Sequence, residues 1–292
     1  MAIPQLPDYA MPTADAFPAN RVAWRPDPAR AVLLIHDMQR YFLGFYAAHS
    51  ALVQRLTDNL ARLRLWADAN GVPVVYTAQP HQQAPADRAL LTDMWGPGLT
   101  TAEAECQRVV DALAPRDHDT VLVKWRYSAF QRSDLKERMR AWGRDQLVIG
   151  GVYAHIGCLT TALDAFMNDI QPFLVGDAVA DFSEADHHMA LRYVATRCGQ
   201  VIDTASLAGS AAAGEAGRDW LLARVRMLID DEGEFDPDEN LLYYGLDSIH
   251  VMTVAGELRE RGVHVTFEDL ARAPTVNAWC ALVEERRAAV AA

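Results

Sequence analysis

The sequence is poor in the features that mark secreted, membrane and nucleic-acid-binding proteins. Its 292 residues contain 4 cysteines, none closely spaced, so neither a zinc knuckle nor a disulfide scaffold is expected. No apolar run approaches the ~20 residues of a membrane span, and the first residues lack the basic and apolar regions of a signal peptide. Lys and Arg number 27 against 39 Asp and Glu, a net charge of −12. We therefore expect a cytoplasmic protein that binds neither nucleic acid nor membrane.

Charge and composition divide the chain into two parts. Residues 217–292 hold 8 Lys/Arg and 15 Asp/Glu, so about a quarter of the chain carries more than half of the net charge. The stretch before them is small, rich in glycine and without apolar periodicity, as a flexible linker should be. We predict a first domain over residues 1–207, a linker over 208–217 and a second domain over 218–292.

In the first part, short apolar runs alternate with helical patterns. Such near-continuous apolar strands predict a three-layer α/β/α domain whose six-stranded parallel sheet is covered on both faces. The helical patterns include residues 51–70, 106–113, 133–142, 157–169 and 184–198. The six runs are AVLLI (31–35), VPVVYT (72–77), TVLVK (120–124), QLVIGGV (146–152), PFLVG (172–176) and QVIDT (200–204).

Reactive groups in such folds lie just past the carboxyl ends of strands. His36 and Asp37 follow the first run, Lys124 ends the third, and residues 153–158 follow the fourth. These three places predict one site. The simpler interpretation of Asp37 and Lys124 is that they form a structural ion pair. We expect His36 to pack on the opposite side of its strand end.

The second part predicts helices only, over residues 218–229, 248–261, 267–271 and 274–288, and therefore a small four-helix bundle. Its string Gly245-Leu-Asp-Ser248 precedes an apolar helix. A serine hydroxyl at a helix N-terminus suits an attached phosphodiester. The simpler interpretation is that Ser248 is an ordinary helix N-cap. Ile249, Met252 and Leu258 can serve as core, and Ile249 and Met252 can instead line the rim of a docking face.

This string resembles the carrier-protein motif of non-ribosomal peptide and polyketide assembly lines. The resemblance implies an aryl carrier domain with 4′-phosphopantetheine covalently attached to Ser248. It also implies partners that act in turn, namely a phosphopantetheinyl transferase, a 2,3-dihydroxybenzoate-adenylating ligase and a condensation domain.

The strings IHDMQ (35–39), KWRYSAF (124–130) and GGVYAHIGC (150–158) together resemble the isochorismatase-like hydrolases. The strings TAQP (77–80) and DRALLTDMWGPGLT (87–100) narrow the resemblance to true isochorismatases. With the fused carrier, it implies hydrolysis of isochorismate to 2,3-dihydro-2,3-dihydroxybenzoate and pyruvate within a catechol siderophore pathway, and a homodimer formed through the hydrolase domain.

The resemblance also implies the roles of individual residues. Asp37 would be the general acid that protonates the vinyl ether, Lys124 would orient it, and Gly157 stands where amide-cleaving relatives have a nucleophilic cysteine. Cys158, one position further, is expected in the core. The implied substrate contacts are Phe42, Gln79, Arg88, Trp95, Tyr153 and Ala154, with backbone N–H groups of residues 154–157 facing an anion.

Several alternatives stay open at this point. Arg88 also fits a solvated surface residue, Trp95 and Phe42 also fit plain core, and the role of His155 is undecided. We expect no metal, because His187 and His188 are adjacent on a helix and face different directions. A carrier protein with a silent hydrolase scaffold is the rival function; an amidase is disfavoured because Gly157 offers no thiol.

Overall fold

The computed structural model describes residues 3–208, 218–229, 235–260 and 263–291. The chain divides into two compact units between Ala208 and Gly209. The predicted linker, residues 208–217, lies outside the described residues except for Ala208.

The first unit is built on one six-stranded parallel sheet, as the apolar runs predict. Its strand order is β3-β2-β1-β4-β5-β6, so the two central strands are β1 and β4. Every residue of these two strands is buried, which is why both read as near-continuous apolar runs. The strands are β1 (Ala31–His36), β2 (Val74–Ala78), β3 (Thr120–Val123), β4 (Gln146–Val152), β5 (Gln171–Ala180) and β6 (Gln200–Ile202).

Helices cover both faces of this sheet and make the three predicted layers. Leu33 and Ile35 of β1 enter one core with α2, whereas Val32 and Leu34 enter the other core with α5, α6 and α7. This alternation follows from the two-residue period of a strand. The helices are α1 (Arg40–Leu43), α2 (Ala51–Ala69), α3 (Pro85–Arg88), α4 (Leu90–Trp95), α5 (Leu135–Ala141), α6 (Leu159–Met167), α7 (Glu184–Tyr193) and α8 (Thr204–Ala208).

One predicted helix, residues 106–113, is wrong. The segment instead forms two short 3₁₀ turns, Ala104–Gln107 and Asp111–Leu113. Between them Val109 makes an isolated antiparallel bridge with Gln39, and the N–H of Val110 donates to Met38 at 3.0 Å. Pairing with the chain that follows β1 therefore overrides the local helical preference.

The second unit consists of helices around its own core, as predicted. Leu221, Val254, Leu258 and Trp279 are among its buried residues. The last helix begins two residues after Pro274, because Thr275 caps it: the Thr275 hydroxyl accepts from the Ala278 N–H at 3.1 Å and its carbonyl from the Trp279 N–H at 3.1 Å. The helices are α9 (Arg218–Leu228), α10 (Ser248–Glu260), α11 (Phe267–Ala271) and α12 (Val276–Ala291), with a 3₁₀ turn at Leu241–Tyr244.

Candidate active site and carrier site

A cavity opens where the central strands β1 and β4 end side by side. Connections to the sheet reverse direction at this point, and ligands of open α/β sheets bind in the crevice formed there. Eight of the nine residues predicted for this site line the cavity: Asp37, Phe42, Gln79, Arg88, Trp95, Lys124, Tyr153 and Gly157. The ninth, Ala154, has its side chain buried in the core on the α6 face instead.

A buried ion pair stands at the centre of the site. Lys124 Nζ donates to Asp37 Oδ2 at 2.8 Å. The Thr77 hydroxyl donates to Asp37 Oδ1 at 2.6 Å and accepts from the Asp37 N–H at 3.1 Å. Asp37 is 4% exposed and Lys124 5%. Each carboxyl oxygen thus has one donor, so the carboxyl group is held in one orientation at the cavity wall.

His36 takes a position that the sequence analysis did not foresee. Its ring lines the cavity and packs against Gly157 rather than pointing to the opposite side, so that prediction was wrong. Nδ1 lies 2.7 Å from the Val152 carbonyl oxygen, a contact in which Nδ1 carries the proton. Burial lowers the pKa of His36 to about 4, so the ring is neutral at neutral pH.

Gly157 can only be glycine beside this ring. A Cβ added there would lie 2.1 Å from Cε1 of His36 and 2.7 Å from Nε2. The imidazole therefore fills the space into which a side chain at position 157 would extend. Cys158, by contrast, is fully buried in the core, and burial raises the pKa of its thiol well above the usual range. The predicted core position of Cys158 is confirmed, and no thiolate faces the cavity at either position.

The turn after β4 uses most of its own N–H groups. The N–H groups of Ile156 and Gly157 donate to the Tyr153 carbonyl, and that of His155 donates to the Asp181 carboxylate at 2.6 Å. The predicted row of anion-binding amides at residues 154–157 is therefore largely occupied within the protein. The N–H group of Ala154 takes no part in these bonds. Among residues 154–157, Ala154 therefore fits best the prediction of a backbone N–H group that faces an anion.

His155, whose role the sequence left undecided, belongs to this arrangement. Its ring contacts the Asp181 carboxylate and is edge-on to Phe182, with ring centroids 5.4 Å apart. Burial disfavours the imidazolium, but Asp181 outweighs that cost and raises the pKa of His155. The residue does not line the cavity, and it ties the turn after β4 to the end of β5.

Aromatic residues form the apolar wall. Phe42 and Tyr153 meet edge to face at 5.9 Å, and Phe182 lies 4.8 Å from Tyr153 and 6.0 Å from Trp95. The Tyr153 hydroxyl donates to the Phe42 carbonyl at 2.7 Å. Tyr153 therefore faces the cavity with its ring, while its hydroxyl is already bonded.

The segment 85–101 supplies the cation of the opposite wall. Arg88 is buried, not solvated, and its guanidinium donates to the Gly96 carbonyl at 2.8 Å and to Gln83 Oε1 at 3.3 Å. In the part of the chain that the structure describes, no carboxylate pairs with it. A buried guanidinium facing a cavity without an anion is suited to bind an anionic ligand.

Other residues of the site were not predicted. Thr77 is one: its position opposite His36 in the parallel register of β1 and β2 is what brings it to Asp37. Tyr127 is another, since its hydroxyl accepts a bond from Trp95 Nε1 at 2.8 Å. Ile3 and Phe182 also line the cavity. Thr77 and Tyr127 lie in the strings TAQP (77–80) and KWRYSAF (124–130), but strand register and long-range packing are what bring them to the site. No local sequence signal marks Ile3 or Phe182.

The second unit presents its predicted site in the open. Ser248 is exposed and is the first residue of α10. Asp247 is the residue that caps this helix, because its Oδ1 accepts from the N–H groups of Ile249 at 2.8 Å and His250 at 2.9 Å. These donors lower the pKa of Asp247. The expectation that Ser248 is the N-cap is therefore wrong, and its hydroxyl projects from the first turn.

The surroundings of Ser248 divide into core and surface. Gly245 takes a φ of 86°, a left-handed conformation that allows a tight turn before the helix. Leu258 is buried in the core, whereas Ile249 is 70% and Met252 57% exposed. The two exposed residues therefore form an apolar rim one turn from Ser248, and the alternative that they serve as core is wrong.

The described residues contain neither a metal-binding cluster nor a membrane-spanning helix. No group of three or more His, Cys, Asp or Glu side chains there is arranged to hold a metal ion. His187 is buried between Tyr9 and the Gly176 carbonyl, away from such a role. Within the same residues, no helix is both long and apolar enough to cross a membrane.

Comparison with known proteins identifies both units. The model of the isochorismatase domain matches residues 31–206, more than half of the chain. The chain belongs to the isochorismatase family. The model of the phosphopantetheine attachment site matches residues 219–283, which include Ser248. The predicted family, hydrolase class and covalent 4′-phosphopantetheine are thereby confirmed.

Relatives with the same two-part organisation extend over nearly the whole chain. Enterobactin synthase component B of Escherichia coli (strain K12) is 50% identical over 97% of this chain and 98% of its own. An isochorismatase of Bacillus subtilis is 48% identical over 98% and 96%. A solved cysteine hydrolase from Pseudomonas syringae pv. phaseolicola, with a TM-score of 0.59 and 24% identity over 66% of this chain and 96% of that one, shows the fold of the isochorismatase unit.

Proposed function

We propose that the isochorismatase unit hydrolyses isochorismate to 2,3-dihydro-2,3-dihydroxybenzoate and pyruvate by acid catalysis from Asp37, without a covalent intermediate. The observation that carries this proposal is the buried Asp37–Lys124 pair in a cavity whose nucleophile position is Gly157. A vinyl ether needs a proton on carbon and a water molecule, and it needs no side-chain nucleophile.

Binding rests on charge and on apolar walls. Isochorismate is a dianion, and Arg88 and Lys124 are the buried cations that line the cavity. Arg88 has guanidinium N–H groups beyond those that bond Gly96 and Gln83, so it can donate to a substrate carboxylate. Phe42 and Trp95 enclose the ring, and Gln79 offers a side-chain amide. Enclosure removes water, which strengthens these charge interactions.

The first chemical step is proton transfer to carbon. Asp37 gives its proton to the methylene carbon of the enolpyruvyl group, and the ether oxygen stabilises the cation that forms. A dianion beside a buried carboxylate favours the protonated form of that acid, whereas Lys124 favours the ionised form. Lys124 and Thr77 keep the carboxyl oriented toward the cavity, which is the positioning that general acid catalysis requires.

Water completes the reaction. The water molecule adds to the cationic carbon and then loses one proton. This loss of a proton neutralises the cation and returns the proton that was used in the first step. In the resulting hemiketal the hydroxyl loses its proton as the carbonyl of pyruvate forms, the C–O bond to the ring oxygen breaks, and the ring oxygen takes up a proton, so both products are released. No bond to the protein forms in this sequence, in agreement with Gly157 and with the buried, protonated thiol of Cys158.

The second unit is proposed to act as the carrier for the derived aryl acid. Ser248 would receive phosphopantetheine from a transferase, and an adenylating ligase would load 2,3-dihydroxybenzoate as a thioester on the arm. A condensation domain of a non-ribosomal peptide synthetase would then take it for amide formation. The exposed Ile249 and Met252 beside Ser248 suit such brief, sequential contacts.

The arrangement in the cell and in the assembly is also a proposal. We propose the boundaries 1–207, 208–217 and 218–292 for hydrolase, linker and carrier, and the reducing cytoplasm as compartment, since all four cysteines are free thiols. A homodimer through the hydrolase unit is supported by an apolar groove that exposes Leu90, Met94 and Met167. Light scattering from the purified protein would test the dimer.

The rival function, a carrier attached to a silent hydrolase scaffold, is disfavoured by the intact Asp37–Lys124 pair and by the unpaired Arg88 guanidinium. Pyruvate release from isochorismate, coupled to lactate dehydrogenase, separates the two functions directly. We expect turnover by the purified chain. Absence of turnover in a folded protein would reject the proposed hydrolysis and leave only the carrier role.

A further inference from the structure

The N-terminal arm, residues 3–9, reaches the cavity that the strand ends form. Ile3 lines this cavity together with Asp37, Phe42 and Lys124. It is partly buried against the core on the α2 face. Ile3 does not follow a strand end, and it belongs to none of the sequence motifs that predict the site. As an apolar residue it also carries no chemical group that such a motif would include.

The arm is anchored just beyond Ile3. Leu6 is 3% exposed, and its N–H donates to the Phe45 carbonyl at 2.8 Å. Asp8 accepts from the Ser50 hydroxyl at 2.8 Å and from the N–H of Leu52 at 3.3 Å, at the start of α2. Ile3 stands three residues before Leu6, a distance of roughly 10 Å in an extended chain.

A third anchor joins the arm to the far side of the site. The Tyr9 hydroxyl accepts from the Asp181 N–H at 2.9 Å and lies 2.9 Å from His187 Nδ1. Because His187 Nε2 bonds the Gly176 carbonyl at 2.9 Å, Nδ1 is the acceptor for the Tyr9 proton. Asp181 in turn holds the turn after β4 through His155. The arm is therefore bonded to the end of β5, which in turn holds the turn after β4 where Gly157 lies.

We propose that the arm completes the active site and that Ile3 is a substrate-contacting residue, which supplies apolar wall next to Phe42 and keeps water from the reacting vinyl ether. The proposal rests on isochorismate hydrolysis as the function. A branched apolar side chain in a site that binds a carbocyclic substrate adds contact area in the bound state, so its loss should weaken substrate binding more than it slows the chemical step.

The test compares Ile3→Ala and Ile3→Asp with Met11→Ala in the full-length protein. Met11 lies on the chain just after the arm and packs partly buried on the same core, but does not line the cavity. Steady-state pyruvate release gives kcat and KM, thermal melting reports the fold, and phosphopantetheine loading of Ser248 reports an activity remote from the arm.

We expect Ile3→Ala to lower kcat/KM about tenfold, mainly through KM, which is the usual scale for a lost apolar contact in a binding pocket. Ile3→Asp should lose more, because its charge faces a dianion. Melting and loading should match wild type for both variants, and Met11→Ala should stay within about twofold in all measurements.

Two results would overturn the proposal: kcat/KM within about twofold of wild type for both Ile3 variants, or equal losses in Ile3→Ala and Met11→Ala. The second result would mean that the arm acts only through stability. An inactive wild-type protein would instead reject the proposed function, and a titration of Asp37→Asn with isochorismate, with and without Ile3→Ala, would then still show whether Ile3 contributes to binding.

Discussion

The two units of this chain place their reactive groups in opposite environments. Asp37 is 4% exposed, bonded to two side chains, and enclosed by aromatic rings. Ser248 is exposed, and the residue before it satisfies the helix end in its place. One site holds its reactive group buried at a cavity wall, and the other presents its hydroxyl to solvent.

This contrast fits the roles that we propose for the two groups. A group that transfers a proton to carbon must be oriented in advance, and removing water strengthens the charges around it. A hydroxyl that other enzymes modify has to reach into their active sites, so it needs exposure and little else from its own fold. The buried site should therefore be sensitive to small changes in packing, and the exposed site only to loss of its one functional atom.

The largest effect is expected at the exposed site. Ser248→Ala should abolish attachment of phosphopantetheine and all aryl loading, because the acceptor oxygen is gone. Pyruvate release should stay near normal, since the two sites lie in separate compact units. Mass spectrometry after incubation with coenzyme A and a transferase measures loading. A phosphopantetheine adduct on the mutant would show that another residue is the attachment site.

At the buried site, Asp37→Asn should lower kcat for pyruvate release by roughly 10²–10⁴, the usual range for general acid catalysis. The amide keeps the shape of the carboxyl group but cannot deliver a proton to carbon. Isochorismate should still bind, and more tightly where repulsion of the dianion is relieved. Near-normal turnover would exclude Asp37 as the acid and turn attention to Lys124, while thermal melting serves as the control for folding.

Two glycine substitutions test the difference in packing. Gly157→Ala should destabilise the isochorismatase unit by about 1–3 kcal/mol, the usual cost of overpacking, and should impair turnover, because the new Cβ would fall 2.1 Å from the His36 ring. Gly256→Ala, in α10 of the carrier unit, has no atom within 4 Å of its added Cβ. It should be neutral or stabilising by about 0.5–1 kcal/mol, because alanine favours a helix.

Urea unfolding of Gly157→Ala and of Gly256→Ala measures the change in the free energy of unfolding that each substitution causes. His36→Ala combined with Gly157→Ala should recover part of the stability that Gly157→Ala loses, since the colliding ring is removed. Purely additive effects of the two substitutions would show that the side chains do not compete for the same space.

The last prediction concerns pH. Burial lowers the pKa of His187 to about 4, below the ordinary value of 6.5, so the unfolded chain binds the proton more readily. The contribution of His187 to the free energy of unfolding is complete above pH 6.5 and falls as the pH drops toward 4. At pH 5 the loss is about 2 kcal/mol.

Urea unfolding at pH 7 and pH 5 measures how much free energy of unfolding each protein loses on acidification. This loss should be smaller in His187→Gln than in wild type, by about the contribution of His187 given above. Equal acid sensitivity of wild type and His187→Gln would mean that other groups account for the loss.

The sequence by itself determined the architecture. Apolar runs such as residues 31–35 predict strands covered on both faces, because a buried strand has no polar side. Their carboxyl ends predict where Asp37 and Lys124 come together, since parallel strands end at a common edge. The string around Ser248 likewise identifies the carrier site, because its function depends on a short local turn and one hydroxyl.

Only the tertiary structure decided which groups complete the buried site. Thr77 reaches Asp37 through strand register, His36 takes the space beside Gly157, and Ile3 arrives from the far end of the chain. Residues 106–113 lost their predicted helix to pairing with residues 38 and 39. Each of these outcomes depends on contacts between distant residues, and local preferences of about 1 kcal/mol per residue yield to such contacts. The exposed carrier site makes few such contacts, and the differences there are local: the helix cap is Asp247 rather than Ser248, and Ile249 and Met252 lie on the surface rather than in the core.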